Sequence, residues 1–268
     1  MRPPARKALG QHFLTDPRIL ARIAAAIGAE PGASVLEIGP GRGALTEELL
    51  RLGFAVTAIE KDRLLAHELA QRWPSLRLVT ADALDVDWRA AVAPEPGRPW
   101  FVIGNIPYNI TSPLIDKALD AGPAGIVFLI QKEVADRLAA KPGTAEYGAL
   151  TVGVTAAARV EKLFTVPAGA FQPRPKIDSA VVRLVPAPAT GPRDPRFRRL
   201  VVGLFGARRK QLARGLRTVL GLDPADAGAI VAAAGLDPIR RPETLSVAEF
   251  ERLFRAVVDA GRGPALTL

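Results

Sequence analysis

The sequence predicts an α/β fold of the Rossmann-like kind, followed by a small all-helical domain. Three observations predict it. From residue 16 to about 140, short apolar runs alternate with stretches of helical periodicity, the pattern of a parallel sheet with crossover helices. The apolar runs stop at glycines or acidic residues, as strand ends do in open sheets. Beyond Pro186, Pro188, Pro192 and Pro195 the apolar positions recur at helical spacing alone, so residues 186–195 read as a linker. The expected boundaries are a first domain over 1–187, with residues 1–15 as an N-terminal arm, and a helical domain over 188–268.

Each element has its own signal. Asp16 and Pro17 read as an N-cap and first helical position, and Ile19, Leu20, Ile23 and Ile27 carry a helix over 16–28. Ser34–Ile38 is a short strand broken by Gly39-Pro40-Gly41-Arg42-Gly43, and Ala44–Leu52 is the helix after it, stopped by Gly53. Ala55–Ile59 is the second strand, residues 62–72 a helix, and Leu76–Thr80 the third strand. Pro-Glu-Pro-Gly-Arg-Pro at 94–99 is a loop before the fourth strand, Trp100–Ile103. Ser112-Pro113 opens a helix, Gly125–Ile130 is the fifth strand, and a helix runs from Lys132 to about Ala140. Val152–Val160 and Val181–Val185 read as an antiparallel pair closing the sheet edge, with 166–176 too rich in proline for a regular element. In the helical domain, Gly221-Leu222-Asp223-Pro224, Gly235-Leu236-Asp237-Pro238 and Pro242 are breaks, and Ser246-Val247-Ala248-Glu249 is a capping box. Trp73, Trp88 and Trp100 read as packing residues, and His67 as solvated.

Composition narrows the chemistry. The chain has 268 residues, 49% hydrophobic and 24% charged, as in a globular protein with a sizeable core. It contains no cysteine, which excludes disulfides, thiolate metal sites and a cysteine nucleophile, and with it pyrimidine methylation through a thiol adduct. Residues 1–30 hold no long apolar core and no run of about 18 apolar residues exists, so neither a signal peptide nor a membrane span is expected. A cytoplasmic location is the expectation. The net charge of +9 points to a polyanionic partner, most often nucleic acid. Nearly all of that excess sits in residues 193–217, where nine Arg/Lys face one acid, Asp194.

Three consecutive strand ends carry ligand chemistry. Glu37 precedes Gly39, Gly41 and Gly43, whose small size lets backbone approach a ligand. Glu60 closes the second strand, where an acid takes ribose hydroxyls, and Asp82 follows the third, placed to accept from an adenine amine; Lys61 and Ala83 stand beside them. A dinucleotide needs Gly-x-Gly-x-x-Gly for its pyrophosphate, whereas this loop is Gly-x-Gly-x-Gly behind an acid. Glu37 is badly placed for a pyrophosphate and well placed for a cationic amino-acid moiety. S-adenosylmethionine, with adenosine, a sulfonium and an amino acid but no phosphate, is the better ligand.

The fourth strand leads into Gly104-Asn105-Ile106-Pro107-Tyr108-Asn109. Asn105 offers an acceptor and a donor on one short arm, Pro107 restricts Ile106 to extended geometry, and Tyr108 adds a stacking face. An acceptor pair beside an aromatic ring suits a planar base with an exocyclic amine. Hydrogen bonds from adenine N6–H to the Asn105 side-chain oxygen and the Ile106 carbonyl favour a tetrahedral nitrogen whose lone pair points at the methyl group.

Lys7–Leu14, Glu37–Thr46, Asn105–Ile110, Phe171–Ala180, Arg208-Arg209-Lys210 and Arg241–Ser246 each match, in order, a motif of one family. Over almost its whole length the chain resembles the ribosomal RNA adenine N6,N6-dimethyltransferases, specifically the KsgA-type enzymes acting on small-subunit rRNA. The resemblance implies a class I S-adenosylmethionine-dependent methyltransferase fold and dimethylation of two adjacent adenosines in a loop near the 3′ end of 16S rRNA. It also implies a monomer acting within a small-subunit (30S) ribosomal precursor, with a role in ribosome biogenesis. Carried over by position, cofactor contacts fall on His12, Leu14, Gly39, Glu60, Asp82 and Asn105. Target-base contacts fall on Asn105, Ile106, Pro107, Tyr108 and Phe171, with Tyr108 and Phe171 sandwiching a base drawn out of its stack. The family often has Asn where His12 stands. Arg174, Lys176, Arg208, Arg209, Lys210, Arg214 and Arg217 are the candidate phosphate contacts, the Arg208–Lys210 run being placed on a helix. Two alternatives remain: an Erm-type enzyme acting on large-subunit rRNA, and a non-catalytic RNA-binding assembly or transcription factor on the same fold. A dehydrogenase is a more distant one. No metal site is expected.

Overall fold

A computed structural model describes residues 11–187 and 194–266 of the chain. The first elements are β1 (Phe13–Leu14), α1 (Pro17–Ala25), β2 (Ser34–Ile38), α2 (Ala44–Arg51), β3 (Ala55–Glu60), α3 (Arg63–Arg72), β4 (Arg77–Thr80), α4 (Trp88–Val92), β5 (Trp100–Asn105), α5 (Thr111–Ala121), β6 (Gly125–Gln131) and α6 (Lys132–Leu138). They are followed by α7 (Ala149–Thr155), β7 (Ala158–Val166), β8 (Phe171–Gln172), β9 (Ser179–Pro186), α8 (Pro195–Gly206), α9 (Leu212–Leu220), α10 (Pro224–Ala233) and α11 (Val247–Asp259). Seven strands form one sheet in the order β4-β3-β2-β5-β6-β9-β7. The pairs from β4 to β6 are parallel and β9 runs antiparallel to β6. The chain winds outward from β2 to β4, then returns to place β5 on the other side of β2. That reversal opens a crevice at the carboxyl ends of β2, β3 and β5, where open α/β sheets bind ligands.

Local sequence explains why these strands and helices form. Val35–Ile38 and Gly125–Ile130 are buried throughout, as central parallel strands must be. Asp16 caps α1 by accepting from the amides of Arg18 and Ile19 at 2.9 and 3.2 Å, with Pro17 in the first turn. Gly104 stands where β5 presses on β2: a Cβ there would lie 2.6 Å from the Ile38 carbonyl oxygen. The fourth strand therefore runs on through Gly104 to Asn105 rather than ending at Ile103.

The chain forms two compact units, one from Met1–Ala135 with Val160–Pro186 and the other from Asp136–Arg159 with Ala187–Leu268. The break between Pro186 and Ala187 falls beside the expected boundary, but residues 136–159, expected in the first domain, belong to the helical unit. The strand expected over Val152–Val160 is corrected too. Ala149–Thr155 is helical, and Val152 and Ala156 pack into the helical core with Tyr147, Phe197 and Phe250. Thr151 ties this helix down, donating to the Arg137 carbonyl at 2.6 Å and accepting the Gly148 amide at 3.2 Å. Burial on one face has overridden the β-propensity of the valines.

Within the helical unit, Asp194, Asp223 and Ser246 cap α8, α10 and α11. The Ser246–Glu249 capping box closes as expected, with Ser246 N donating to Glu249 Oε2 at 2.7 Å. Arg208–Lys210 lies in the turn between α8 and α9, not on a helix. Residues 1–6 of the N-terminal arm, Lys7–Gly10 of the first motif and residues 188–193 of the expected linker lie outside the described residues.

Candidate active site

A cavity of about 790 Å³ opens at the carboxyl ends of β2, β3 and β5, lined by the glycine loop, Glu60, Asp82 and the Asn105–Ile110 segment. Its electrostatics come from four carboxylates and amides whose partners are fixed by the fold. Glu37 ends β2 almost wholly buried, and accepts the Thr46 hydroxyl from α2 at 2.6 Å. Burial raises its pKa from 4.5 to about 8; the Thr46 bond pulls the other way, and the Glu60 charge adds to the rise. Burial thus favours the neutral form of Glu37, and a cation beside it would favour the ionised one.

Glu60, at the end of β3, splints the glycine loop. Its Oε2 accepts the Gly41 amide at 2.9 Å and its Oε1 the Asp62 amide at 2.8 Å. Burial pushes its pKa up while these backbone donors hold it back. Each oxygen keeps a second lone pair, enough for the two hydroxyls of a ribose. Asp82 lies two residues past β4, with Lys61 Nζ on Oδ2 at 2.5 Å and the Leu84 amide on Oδ1 at 2.9 Å. The lysine bond chiefly holds its pKa below the usual range. Gly39 and Gly41 have positive φ and line the cavity. Gly43 does not line it; a Cβ there would collide with Trp73 and Leu69, so this glycine serves helix packing.

Asn105 is aimed by the N-terminal strand. Its Nδ2 donates to the His12 carbonyl at 2.8 Å, leaving Oδ1 as an acceptor. Gly39 sits against the Asn105 backbone, a Cβ there falling 4.0 Å from its carbonyl oxygen, which brings the glycine loop beside the Asn105–Ile110 segment. The Ile106 amide donates to the Leu129 carbonyl at 3.0 Å, and Pro107 keeps the chain extended before the turn at Tyr108–Ile110. Tyr108 Oη meets Ser179 Oγ at 2.7 Å, and burial raises its pKa. The His12 ring stacks on Tyr108 with centroids 5.8 Å apart, too close to admit a base between them. His12 Nδ1 lies 2.8 Å from the Pro173 carbonyl, an acceptor only, so Nδ1 carries the proton.

Leu14 and Ala83 line the cavity as expected, as do His12 and Lys61. Phe171 does not. It is 4% exposed, pairs with Leu14 in the β1–β8 ladder, and packs with Leu20, Val166 and Val181. The expected sandwich of Tyr108 and Phe171 is therefore corrected: Phe171 is core here, and Tyr108 lines the cavity without it. Sequence reasoning passed over Thr46, Gly104, Phe13 and Ser179. Only Gly104 carried a readable signal, as a glycine inside a buried strand. Phe13 packs its ring on Gly41 and beneath the Arg42 guanidinium at 4.3 Å, a contact no spacing reveals.

Arg174 and Lys176 are exposed on the loop between β8 and β9. In the helical unit Arg209, Lys210, Arg214 and Arg217 are exposed, whereas Arg208 is tied to Glu243 at 2.8 Å. Lys210 Nζ reaches Thr218 at 3.4 Å, which sets it beside α9 although it precedes that helix. Among the described residues no cluster of three or more His, Asp or Glu can hold a metal, and no helix is long and apolar enough to cross a membrane.

A reversing parallel sheet with a Gly-x-Gly-x-Gly loop, acids at the next strand ends and an Asn-Ile-Pro-Tyr segment defines an S-adenosylmethionine-dependent methyltransferase. The sequence profile of the ribosomal RNA adenine dimethylases matches residues 3–255. The chain belongs to that family. It is 46% identical over 258 residues to the ribosomal RNA small subunit methyltransferase A of Xanthomonas campestris pv. campestris, covering 93% of this chain and 95% of the relative. It is 43% identical over 266 residues to the protein of that name from Geobacter metallireducens, covering 96% and 97%. Among solved structures, a dimethyladenosine transferase from Plasmodium falciparum superposes with a TM-score of 0.77 at 27% identity, over 93% of this chain and 98% of that one. The 23S rRNA methyltransferase ErmE gives 0.68 at 29%, over 92% and 99%.

Proposed function

We propose that this enzyme dimethylates N6 of two adjacent adenosines in a loop near the 3′ end of 16S rRNA, acting as a monomer in the cytoplasm on a 30S precursor during small-subunit assembly. One observation carries the chemistry: the His12 carbonyl holds Asn105 by its amide nitrogen, at the edge of a cavity built for an adenosine-bearing cation. The small-subunit target is favoured over the large-subunit alternative by identity, 46% against 29% for the 23S enzyme, each over more than nine-tenths of the chain. The intact glycine loop and Asn105–Tyr108 segment speak against a purely non-catalytic assembly factor.

The cavity residues fit S-adenosylmethionine, which supplies an electrophilic methyl group on sulfur. Glu60 takes the ribose hydroxyls, Asp82 the adenine amine, and Glu37 faces the cationic amino-acid end, with Gly39 and Gly41 allowing close backbone approach. On the target side, Tyr108 stacks on the extruded adenine. Asn105 Oδ1 and the Ile106 carbonyl accept from N6–H, drawing the nitrogen toward tetrahedral geometry. Its lone pair would then face the methyl group that bound S-adenosylmethionine would supply for transfer from sulfur to nitrogen, and the surplus N6 proton would leave to water. Orientation is the main catalytic contribution of these residues. Arg174 and Lys176 beside the cavity, and the exposed cations around α9, contact phosphates. The test is to map N6,N6-dimethyladenosine on rRNA from cells with and without the gene. Unchanged 16S rRNA in the deletion would overturn the proposal.

A further inference from the structure

The loop from Gln172 to Ser179 frames the cavity at both ends. Gln172 lines the cavity, the Pro173 carbonyl meets the His12 ring at 2.8 Å, and Ser179 meets the Tyr108 hydroxyl at 2.7 Å. The loop is also braced from beneath. Asp178 Oδ1 accepts the Ala168 amide at 2.9 Å, and the Asp178 carbonyl accepts the Lys132 amide at 3.0 Å. On this braced loop Ile177 is 42% exposed, flanked by the exposed cations Arg174 and Lys176.

Single exposed aliphatic side chains are ordinary. The other large ones here are Leu64 on α3, a helix that reaches the cavity only through Glu68, Leu69 and Arg72, Val202 on α8 and Ile239 in the segment before α11. Ile177 alone among them is two residues from a side chain bonded to the base-stacking tyrosine. An enzyme that modifies a stacked base must draw it out, and the gap left behind favours its return. Apolar wedges set between bases, with cations on the adjoining phosphates, stabilise such openings.

Resting on the proposed rRNA adenine methylation, we propose that Ile177 is an RNA-contacting wedge. Its side chain fills the stacking gap next to the extruded adenosine while Arg174 and Lys176 hold the adjoining phosphates. It acts on the substrate's conformation and not on the cofactor.

The experiment compares wild type, Ile177→Leu and Ile177→Ala in single-turnover methylation of unmethylated small ribosomal subunits. It adds a short RNA hairpin carrying the target loop with 2-aminopurine in place of one target adenine. Ile177→Ala is expected to slow methylation roughly tenfold or more and to reduce the fluorescence rise on binding, as loss of an unstacking contact predicts. Ile177→Leu should retain most of both signals, and S-adenosylmethionine affinity by calorimetry should be unchanged in either variant. Wild-type rate and fluorescence in Ile177→Ala would overturn the wedge while leaving the methylation reading intact. A loss of rate matched by a loss of cofactor affinity would also overturn it, since the residue would then be structural. Wild type failing to methylate the subunits would overturn the functional reading itself, and the wedge with it.

Discussion

The backbone carbonyl of His12, the residue just before the two-residue strand Phe13–Leu14, accepts the Asn105 side-chain amide at 2.8 Å and so aims the residue proposed to receive the target nitrogen. The same strand sets Phe13 on Gly41 and under Arg42. One segment therefore touches both the glycine loop and the base-holding loop, which explains why a motif so far from either in sequence belongs to the site.

Asn105→Ala is expected to reduce methyl transfer by about a hundredfold or more, in line with loss of an orienting contact. Affinity for rRNA should persist, because the exposed cations are not touched. Asn105→Asp should fail as well, since a carboxylate cannot donate to the His12 carbonyl. Single-turnover rates beside filter-binding affinities check both variants. A parallel fall in rRNA affinity would make Asn105 structural.

Glu60→Gln keeps the shape of the side chain but turns an N–H2 group toward one of two backbone donors, Gly41 or Asp62. It should weaken S-adenosylmethionine binding roughly ten- to a hundredfold, the worth of about 1.5–3 kcal/mol of charge-assisted hydrogen bonds. Calorimetry giving wild-type affinity would remove Glu60 from the ribose site.

Glu37 gives the site a pH signature. Its folded pKa of about 8 lies above the ordinary 4.5, so its contribution to stability is present below the ordinary value and is lost as pH rises through 8. The cofactor-free enzyme should become less stable across that window, and Glu37→Gln should flatten the decline; each pKa unit corresponds to roughly 1.4 kcal/mol. A cationic ligand lowers the pKa, so binding near neutral pH should release a proton from wild type that Glu37→Gln does not release. Calorimetry in buffers of differing ionisation enthalpy reads it. Identical proton release in both proteins would show that Glu37 stays protonated.

Much of the site was legible because its signals are local. Strand ends, helix caps and the glycine loop announce themselves within a few residues, as Asp16-Pro17, Gly39–Gly43 and Ser246–Glu249 do. What escaped depended on partners distant in sequence. The strands Phe13–Leu14 and Phe171–Gln172 are too short for any periodicity, and each exists because the other is there. Val152 looks like a strand residue until the helical core that buries it is seen. Phe171, amid prolines and cations, reads as a surface ring, yet the β1–β8 pairing turns it inward. Gly43 belongs by spacing to the ligand loop, and only the positions of Trp73 and Leu69 give its real reason.

The basic segment yields the last prediction. Of the nine cations between residues 193 and 217, Arg196 is held by Asp194, Arg199 donates to the Leu266 carbonyl, Arg208 is paired with Glu243, and Arg217 donates to the Leu222 carbonyl at 3.5 Å. Arg209 and Lys210 sit exposed in the turn before α9, with Arg214 and Arg217 exposed on it. We propose these four as the phosphate grip and Arg208 as a brace. Reversing Arg209 and Lys210 to Glu should weaken rRNA binding and flatten the slope of log affinity against log salt by about 0.7 to 0.9 per lost contact. Arg208→Gln should change that slope little. Its effect should appear as lost thermal stability, modest because the Arg208–Glu243 pair is partly solvated. Cofactor affinity should hold in all of them, since the substituted residues belong to the helical unit and the cofactor cavity is lined by residues of the other. If the double reversal bound rRNA with wild-type affinity and slope, the grip would have to lie at Arg174 and Lys176 instead.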